Sequence, residues 1–177
     1  MDPHIMIDLE TWGTGPNALI TSIGAARFDP NGSGIIDSLE LPINPVDAQR
    51  YGFDIDADTV LWWMQPDRDA ARGQFQRAGL DLGSALDGFA MWFNEAPGPV
   101  WGNGAAFDNV LLRNAYQKAG LECPWPFWND RCYRTMKSLT SAPPMGERTG
   151  THHEAVDDAV SQALHLQQIV KQLEIIV

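Results

Sequence analysis

Residues 4–28 read HIMIDLETWGTGPNALITSIGAARF and predict the first hairpin of a sheet. Residues 5–9 form a short apolar run, and residues 18–28 form a second run rich in β-branched and small side chains, so both predict strands. Between them, WGTGPN supplies glycine, proline and asparagine, which favour a reversal of the chain. Two carboxylates, Asp8 and Glu10, stand where the first strand ends, and their proximity needs a physical reason.

Outside this hairpin the chain alternates strand-like and helix-like patterns. IIDSLELPI at 35–43 predicts a third strand, and GPVWGNG at 98–104 predicts a short fourth one. Helical patterns occupy residues 56–65 with Asp58 or Thr59 as cap, 67–79, 83–96, 107–120 ending at Gly120, and roughly 154–174. DRCYRTMKSLT at 130–140 predicts a short strand or a helix. The order predicts an α/β fold, with a mixed central sheet, an N-terminal three-stranded meander and flanking helices.

Length and composition predict one domain spanning residues 1–177. The chain is 44% hydrophobic, enough for a substantial core. It has neither an apolar run of ~18 residues nor the pattern of a signal peptide, so we expect no membrane partner and a cytoplasmic location. Cys123 and Cys132 lack metal-ligand spacing and are interpreted as reduced packing residues.

The formal net charge of -11 indicates which partners the surface suits. A protein that reads DNA sequence normally presents a basic patch, which this composition disfavours. Carboxylates grouped around divalent cations become attractive to phosphate once the metal is bound. The acidity therefore disfavours a DNA-reading module more than it disfavours a metal-dependent enzyme.

Asp8 and Glu10 are two residues apart on a predicted strand, so both side chains leave the same face of the sheet. Two neighbouring carboxylates raise each other's pKa, and a pair that must stay ionised needs a cation. Hard oxygen ligands of this kind suit Mg²⁺ or Mn²⁺. The alternative is a solvent-exposed strand end that carries two charges.

Two later stretches carry similar chemistry. Asp108 follows the glycine-bounded strand at the start of a predicted helix, where it serves either as a ligand or as a helix cap. In THHEAVDDAV, at 151–160, a histidine precedes an aspartate by five positions and combines a proton acceptor with another oxygen ligand. The three elements together predict a metal-dependent site better than any one of them alone.

The series DLET at 8–11, Asn103 with the dipeptide FD at 107–108, and HEAVDD at 153–158 resembles the DEDDh family of 3′-to-5′ exonucleases in order and approximate spacing. The ITSIGAARF strand also resembles the family's second strand, so the likeness covers about residues 4–170. DLETWGTGPN and LWWMQ are similar to a phage and bacterial subgroup of exonuclease A-like enzymes. The resemblance implies a ribonuclease H-like fold and the release of nucleoside monophosphates from a 3′ end.

The resemblance also implies the role of each motif residue. Asp8 bridges two divalent ions, Mg²⁺ or Mn²⁺, while Glu10 and Asp158 complete one ion site. Asp108 supports the second ion, directly or through water. His153 accepts the proton of the attacking water.

A second register of the third motif exists, because His152 and Asp157 have the same spacing as His153 and Asp158. Helical geometry leaves both aspartates at the margins of the apolar stripe. The family usually has an alanine two residues after its histidine, and Ala155 fits His153. The sequence therefore favours His153 with Asp158 and keeps the other pair as an alternative.

Five residues are expected to contact the substrate: Thr11, Trp12, Asn103, Phe107 and Arg148. By resemblance, Thr11 lies against the terminal 3′ hydroxyl. Trp12 offers a face for base stacking, and Arg148 offers its charge to a phosphate. Trp62 and Trp63 either stack on bases or belong to the core or a subunit contact. The basic residues Arg131, Arg134 and Lys137 are interpreted as the solvated stripe of a helix.

The leading hypothesis is a 3′-to-5′ exonuclease whose partner is the 3′ end of single-stranded DNA or RNA, or a 3′ overhang. A non-catalytic nucleic-acid-binding domain of the same fold is an alternative that predicts loss of a metal ligand. A ribonuclease H-like endonuclease or a small-molecule phosphodiesterase is a further alternative. A homodimer is also possible, since several relatives pair.

Overall fold

One mixed sheet organises the protein. The computed structural model describes residues 3–175. Its strands are β1 His4–Thr11, β2 Ile20–Phe28, β3 Ile35–Pro42, β4 Val100–Gly102 and β5 Asp130–Cys132. They lie in the order β3-β2-β1-β4-β5. The first three are antiparallel, whereas β4 runs parallel to β1 and β5 runs parallel to β4. The predicted meander and mixed sheet are therefore confirmed.

Seven α-helices lie within residues 3–175 and surround this sheet. They are α1 Pro45–Gln49, α2 Ala57–Trp63, α3 Asp69–Arg72, α4 Leu82–Glu95, α5 Asp108–Ala119, α6 Tyr133–Lys137 and α7 Ala155–Leu173. The predicted helices at 83–96, 107–120 and 154–174 correspond to α4, α5 and α7. Gly120 ends α5 in a left-handed conformation with φ 71°, as glycine commonly does after a helix.

Strand β1 is buried on both faces, and its alternation decides where the carboxylates point. Ile5, Ile7 and Leu9 join the core formed with α4 and α5. Met6, on the opposite face, joins a second core formed with α7. Because side chains alternate along a strand, Asp8 and Glu10 share the face of Met6 and point toward α7.

Gly24 allows α7 to lie directly on the sheet. It pairs with Asp8 in the ladder between β1 and β2. A Cβ added at Gly24 would lie 2.0 Å from the carbonyl carbon of Ala155, at the start of α7. Only a residue without a Cβ permits this approach, so Gly24 sets the distance between the first turn of α7 and the carboxylates of β1.

Helix α2 begins at Ala57, before either of its two predicted caps. Asp56 is the N-cap, because its carboxylate accepts hydrogen bonds from the Asp58 amide at 3.1 Å and from the Thr59 hydroxyl at 3.2 Å. The prediction of Asp58 or Thr59 as the cap is therefore wrong. Helix α1 was not predicted, although Asn44 caps it and Pro45 is its first residue.

The stretch 67–79 is not the continuous helix that its composition predicts. It consists of two 3₁₀ turns, Pro66–Arg68 and Gly73–Gln76, on either side of α3. Arg72 donates to the carbonyl oxygens of Trp63 and Gln65 at 3.0 and 2.8 Å. These side-chain hydrogen bonds hold the segment against the end of α2.

The stretch 130–140 contains both predicted alternatives, since β5 is followed directly by α6. Arg131 lies in the strand, whereas Arg134 and Lys137 lie in the helix. The predicted single helical stripe of three cations is therefore wrong. The two cysteines are unpaired, and Cys123 packs against the core of α4 and α5, as predicted. Among residues 3–175, no helix has the length and apolar character needed to cross a membrane.

Candidate active site

Three carboxylates from distant parts of the chain meet above the end of β1. Asp8 and Glu10 come from β1, and Asp158 comes from the first turn of α7. One oxygen of each lies within 4.8 Å of the others. Glu10 and Asp158 are buried, and Asp8 is partly buried. Asp8 and Glu10 lie on the same face of the sheet, as expected. The alternative of a solvent-exposed strand end is wrong, because Glu10 is buried and Asp8 is partly buried.

Asp157 points away from this cluster. Its Oδ2 accepts a hydrogen bond from the Thr151 amide at 2.6 Å and fills the space beside Gly150. Asp158, one residue later on α7, faces β1 instead. Of the two registers that the sequence left open, the structure brings the aspartate of the His153 register to the carboxylates of β1.

Asp108 completes the acidic wall from the other side of β1. It is the first residue of α5, but Phe107 is the N-cap and no side chain caps this helix. The alternative of Asp108 as a cap is therefore wrong. Its Oδ1 instead accepts the Leu9 amide at 3.3 Å. Asp108 lines the same cavity as Asp8, Glu10 and Asp158, outside their close group of three.

Burial makes Asp8, Glu10 and Asp108 reluctant to ionise, and repulsion between carboxylates adds to this at Asp8 and Glu10. Burial is the main cause that raises the pKa values of Asp8 and Glu10 well above their usual range, and the neighbouring carboxylates raise them further. Burial also raises the pKa of Asp108 to about 7. A divalent cation would relieve this repulsion, and oxygen-only ligands match the chemistry of Mg²⁺ or Mn²⁺. The residues therefore fit the metal site that the sequence predicts.

Arg148 and Gln162 already compensate part of this charge. Arg148 Nη1 lies 2.6 Å from Asp158 Oδ1, as a salt bridge. Gln162 Nε2 donates to Asp8 Oδ1 at 2.7 Å. Both interactions lower the pKa of Asp8 against the effect of burial. Arg148 lies at the site, as the sequence predicts. The sequence did not predict that Gln162 lies there.

Both histidines line the carboxylate cavity, but their environments differ. His153 has an unusual left-handed backbone with φ 67°. Its amide donates to Asp158 Oδ2 at 3.3 Å, and its carbonyl oxygen accepts from Gln74 Nε2 at 2.8 Å. His152 is exposed, with Nε2 3.9 Å from Asp158 Oδ2. The fixed backbone holds the ring of His153, which is half-buried, beside the cluster.

The ring of His153 is suited to accept a proton. Burial, followed by the neighbouring His152, lowers its pKa, while Asp158 raises it in part. A lowered pKa favours the neutral imidazole at neutral pH. The ring also meets Trp62 edge-on, with centroids 4.9 Å apart. His153 is therefore oriented by an aromatic neighbour as well as by its backbone.

An open, mainly apolar pocket of about 540 Å³ adjoins the carboxylate cavity. Leu9, Glu10 and Phe107 line both spaces, and Thr11, Trp62 and Trp63 line this pocket alone. Trp63 is buried and donates its Nε1 hydrogen to the Thr11 carbonyl at 3.0 Å. Trp63 is thus largely a core residue, which is one of the interpretations that the sequence left open. Trp62 is partly buried and forms part of the pocket wall.

Trp12, an expected substrate contact, is not among the residues that line this pocket. Its ring packs against the core of α4 and α5 and meets Phe75 edge-on at 5.7 Å. Phe75 in turn meets Trp63 at 5.0 Å. The backbone of Trp12 is bound to Leu19 and Asp56, and these bonds fix the turn with the ring behind the pocket wall.

Asn103 and Phe107 lie at the cavity, as expected, together with Arg134, which was not predicted to be there. Arg134 Nη2 donates to the Asn103 carbonyl at 2.7 Å. Two sequence signals point to the missed residues. Gln162 is four residues after Asp158 and so shares its helix face. Arg134 follows β5, whose carboxyl end lies on the same sheet edge as that of β1.

Three solved structures resemble this fold. E. coli exonuclease I in complex with a dT13 oligonucleotide matches with a TM-score of 0.70 at 15% identity, over 98% of this chain and 42% of its own. The zinc-bound E. coli exonuclease I–ssDNA complex matches with a TM-score of 0.64 at 16% identity, over 98% and 40%. The nuclease domain of 3′hExo, a DEDDh family member bound to rAMP, matches with a TM-score of 0.65 at 13% identity, over 96% and 92%.

These likenesses confirm the expected ribonuclease H-like fold. This chain spans less than half the length of the exonuclease I chains. No curated protein sequence matches it.

A family model gives the more specific result, because it matches residues 3–170. The matched stretch contains the four carboxylates, both histidines and every strand of the sheet. Its description is the 3′-5′ exoribonuclease Rv2179c-like domain. The chain therefore belongs to the family of 3′-5′ exoribonuclease Rv2179c-like domains.

Proposed function

We propose that this protein is a metal-dependent 3′-to-5′ exonuclease that hydrolyses phosphodiester bonds of RNA or DNA and releases nucleoside monophosphates. One observation carries the proposal: four carboxylates from β1, α5 and α7 line a cavity that opens into an aromatic pocket. The cavity suits a scissile phosphate and its metal ions, and the pocket suits the terminal nucleoside. Membership of an exoribonuclease family supports the same activity.

The four carboxylates are the proposed metal ligands. Asp8, Glu10 and Asp158 would hold one ion, and Asp8 and Asp108 would hold a second, Mg²⁺ or Mn²⁺ in each case. Such ions, when bound, polarise the scissile phosphate and stabilise the charge that develops on the leaving 3′ oxygen. The close group of three oxygens and the raised pKa values of Asp8, Glu10 and Asp108 support this assignment. The zinc-bound exonuclease I complex supports a divalent metal ion in this fold.

His153 is the proposed general base. Its neutral imidazole takes a proton from the attacking water, and Asp158, beside it, stabilises the imidazolium that forms. Arg148 is proposed to bind the scissile phosphate, since its guanidinium is already in the cavity on Asp158. His152 is more exposed than His153.

The aromatic pocket is the proposed site of the terminal nucleoside. Leu9, Phe107 and Trp62 supply apolar walls for the base, and Thr11 lies beside Glu10 at the mouth. The guanidinium of Arg68 lies 3.8 Å from the ring centroid of Trp62 and covers one of its faces. A base can therefore stack on the opposite face only, for ~1 to 3 kcal/mol.

Single-stranded RNA is the proposed first substrate because the family description is an exoribonuclease. DNA is the matched comparison, since the solved neighbours include a complex with dT13 and one with rAMP. A cytoplasmic location and a homodimer stay predictions from the sequence. Cell fractionation tests the first and light scattering in solution tests the second.

The activity is tested with 5′-labelled single-stranded RNA and DNA oligonucleotides, with Mg²⁺, Mn²⁺ or a chelator. We expect products that shorten one nucleotide at a time from a free 3′ hydroxyl, no products with chelator, and none with Asp158→Asn. Cleavage of a circular substrate at the rate of the linear one would overturn the exonuclease and support the endonuclease alternative. Binding of the oligonucleotides without any hydrolysis would support the non-catalytic alternative.

A further inference from the structure

Helix α6 carries two cations close to the carboxylate cavity. Arg134 lines that cavity, and Lys137 follows it by three residues, on the same side of the helix. Both are exposed. They follow directly from the edge strand β5, and neither lines the aromatic pocket, to which α2 contributes Trp62 and Trp63.

These two side chains form no salt bridge with a carboxylate within the described part of the chain, although the charge of Arg134 lowers the pKa of Asp108 and the charge of Asp8 raises that of Lys137. Of the 12 lysines and arginines in the sequence, seven form salt bridges with acidic residues. Arg134 and Lys137 form none among residues 3–175. In a chain with a formal charge of -11, two such cations beside a nuclease-like site are available to an anion.

Three cations crowd this edge of the cavity. The pKa of Lys137 is lowered by partial burial and by the positive charges of Arg134 and Arg148, while Asp8 opposes this effect. Like charges held together are relieved by an anion that binds between them. A polynucleotide backbone supplies such anions at regular intervals.

The position of the aromatic pocket indicates which part of the substrate the cations of α6 would meet. Arg134 lines the carboxylate cavity but not the aromatic pocket, which lies toward α2. A terminal nucleoside in that pocket and a scissile phosphate over the carboxylates leave the remaining chain to depart on the other side. Arg134 is the residue of α6 that lines the cavity without lining the pocket, so α6 is the element over which we expect that chain to pass.

We propose that Arg134 and Lys137 bind the backbone phosphates of nucleotides upstream of the scissile bond and so guide the substrate across α6. This inference rests on the proposed exonuclease function and adds the path of the chain beyond the terminal nucleotide. The partner is a single strand of at least several nucleotides, bound through its phosphates and independently of its sequence.

The test compares Arg134→Gln, Lys137→Gln and the double variant with Arg131→Gln. Arg131 is a matched control, because it is three residues before Arg134, is exposed, and donates to the carbonyl oxygens of Trp128 and Asp130 instead. Binding of a fluorescent single-stranded oligonucleotide of about 12 nucleotides is measured as a function of salt, in chelator. Each lost phosphate contact should reduce the slope of log K against log salt by ~0.7.

Hydrolysis provides the second measurement. For the 12-nucleotide substrate we expect the double variant to raise KM about tenfold, as loss of two charge contacts implies, with kcat close to wild type. For a dinucleotide, which has no upstream phosphate, Lys137→Gln should leave KM and kcat at the wild-type values, because Lys137 does not line the carboxylate cavity. Arg131→Gln should leave both substrates and the salt slope unchanged, and thermal melting checks that all variants fold.

Three results would overturn the inference. They are an unchanged salt slope in the double variant, a rise in KM in Lys137→Gln that is as large on the dinucleotide as on the 12-nucleotide substrate, or a fall of the salt slope in Arg131→Gln equal to that in Arg134→Gln. Failure of the proposed function is a different outcome. If the wild-type protein hydrolyses no substrate but the salt slope of binding falls in the double variant, the exonuclease assignment is wrong. The proposed path of the strand across α6 then still holds.

Discussion

Gln162 Nε2 donates a 2.7 Å hydrogen bond to Asp8 Oδ1, between residues separated by 154 positions in the sequence. Gln162 is buried on α7, one helical turn after Asp158. The bond therefore joins the helix that carries one proposed ligand to the strand that carries two. Polar groups that hold a metal ligand in place are worth ~10 to 100-fold in metal affinity or activity.

Replacement of Gln162 by leucine should weaken Mn²⁺ binding by ~10 to 100-fold, because Asp8 loses the donor that orients it. Titration calorimetry measures the affinity, and the oligonucleotide assay measures the matching loss of turnover at low metal concentration. Gln168→Leu, at an exposed position of the same helix, is the control. Wild-type metal affinity in Gln162→Leu would show that the hydrogen bond has no positioning role.

Asp158→Asn should abolish hydrolysis, since it removes a carboxylate from the group of three. Asp157→Asn should keep most of the activity, because the new amide oxygen can still accept the Thr151 amide. Both variants are assayed on the same labelled oligonucleotide, and circular dichroism checks the fold. The opposite pattern would assign the His152 and Asp157 register instead.

His153→Ala should lower turnover by ~10² to 10⁴, the usual contribution of a general base, while Mn²⁺ affinity stays at the wild-type value. His153 lies outside the group of three carboxylates, but with His152 and Asp158 it forms a second group whose ligand atoms lie within 4.8 Å of one another. A loss of Mn²⁺ affinity in His153→Ala would therefore assign the imidazole to the metal site instead. His152→Ala is measured beside it and should have the smaller effect, since that ring is more exposed. A larger loss in His152→Ala would reverse the assignment of the base.

The metal-free protein should become less stable as the pH rises. Asp108 has a pKa of about 7 in the folded protein, against ~3.9 in an unfolded chain, so the folded state holds its proton to higher pH. The stability from this protonated carboxyl is complete below the unfolded pKa and is lost as the pH rises through about 7. Asp8 and Glu10, whose pKa values are also raised, act in the same direction.

Urea unfolding in chelator, between pH 5 and 8, measures this loss. The free energy of unfolding should fall with pH in the wild type and fall less steeply in Asp108→Asn, which cannot titrate there. Added Mn²⁺ should remove most of the fall, because the ion binds the ionised carboxylates of the folded state. Identical slopes for wild type and Asp108→Asn would contradict the assignment.

Gly24→Ala should destabilise the protein by ~1 to 3 kcal/mol, as overpacking of a close contact does. The new methyl group would lie 2.0 Å from the Ala155 carbonyl carbon, so α7 must shift away from β2 and carry Asp158 with it. We therefore expect weaker metal binding as well as a lower melting temperature. Gly73→Ala is the control, since an added Cβ there has no heavy atom within 4 Å; an equal effect of both changes would exclude a specific contact.

The sequence by itself determined the sheet and half of the site. The alternation of apolar residues in β1 requires Asp8 and Glu10 to share one face, whatever packs against them. The glycine, proline and asparagine of the turn fix the hairpin, and the spacing HEAVDD restricts the third motif to two registers. These features follow from local geometry, which a strand or helix imposes on its own residues.

Only the tertiary structure decided what each side chain meets. It turned Asp158 toward β1 and Asp157 toward Thr151, placed Trp12 behind the pocket wall, and brought Arg134 to the carboxylates. These outcomes depend on close approaches such as that of Gly24 to α7, between residues more than 100 positions apart. Side chains one position apart on a helix differ by about 100° in direction, so the docking of α7 on the sheet, rather than the periodicity of its sequence, determines which aspartate faces β1.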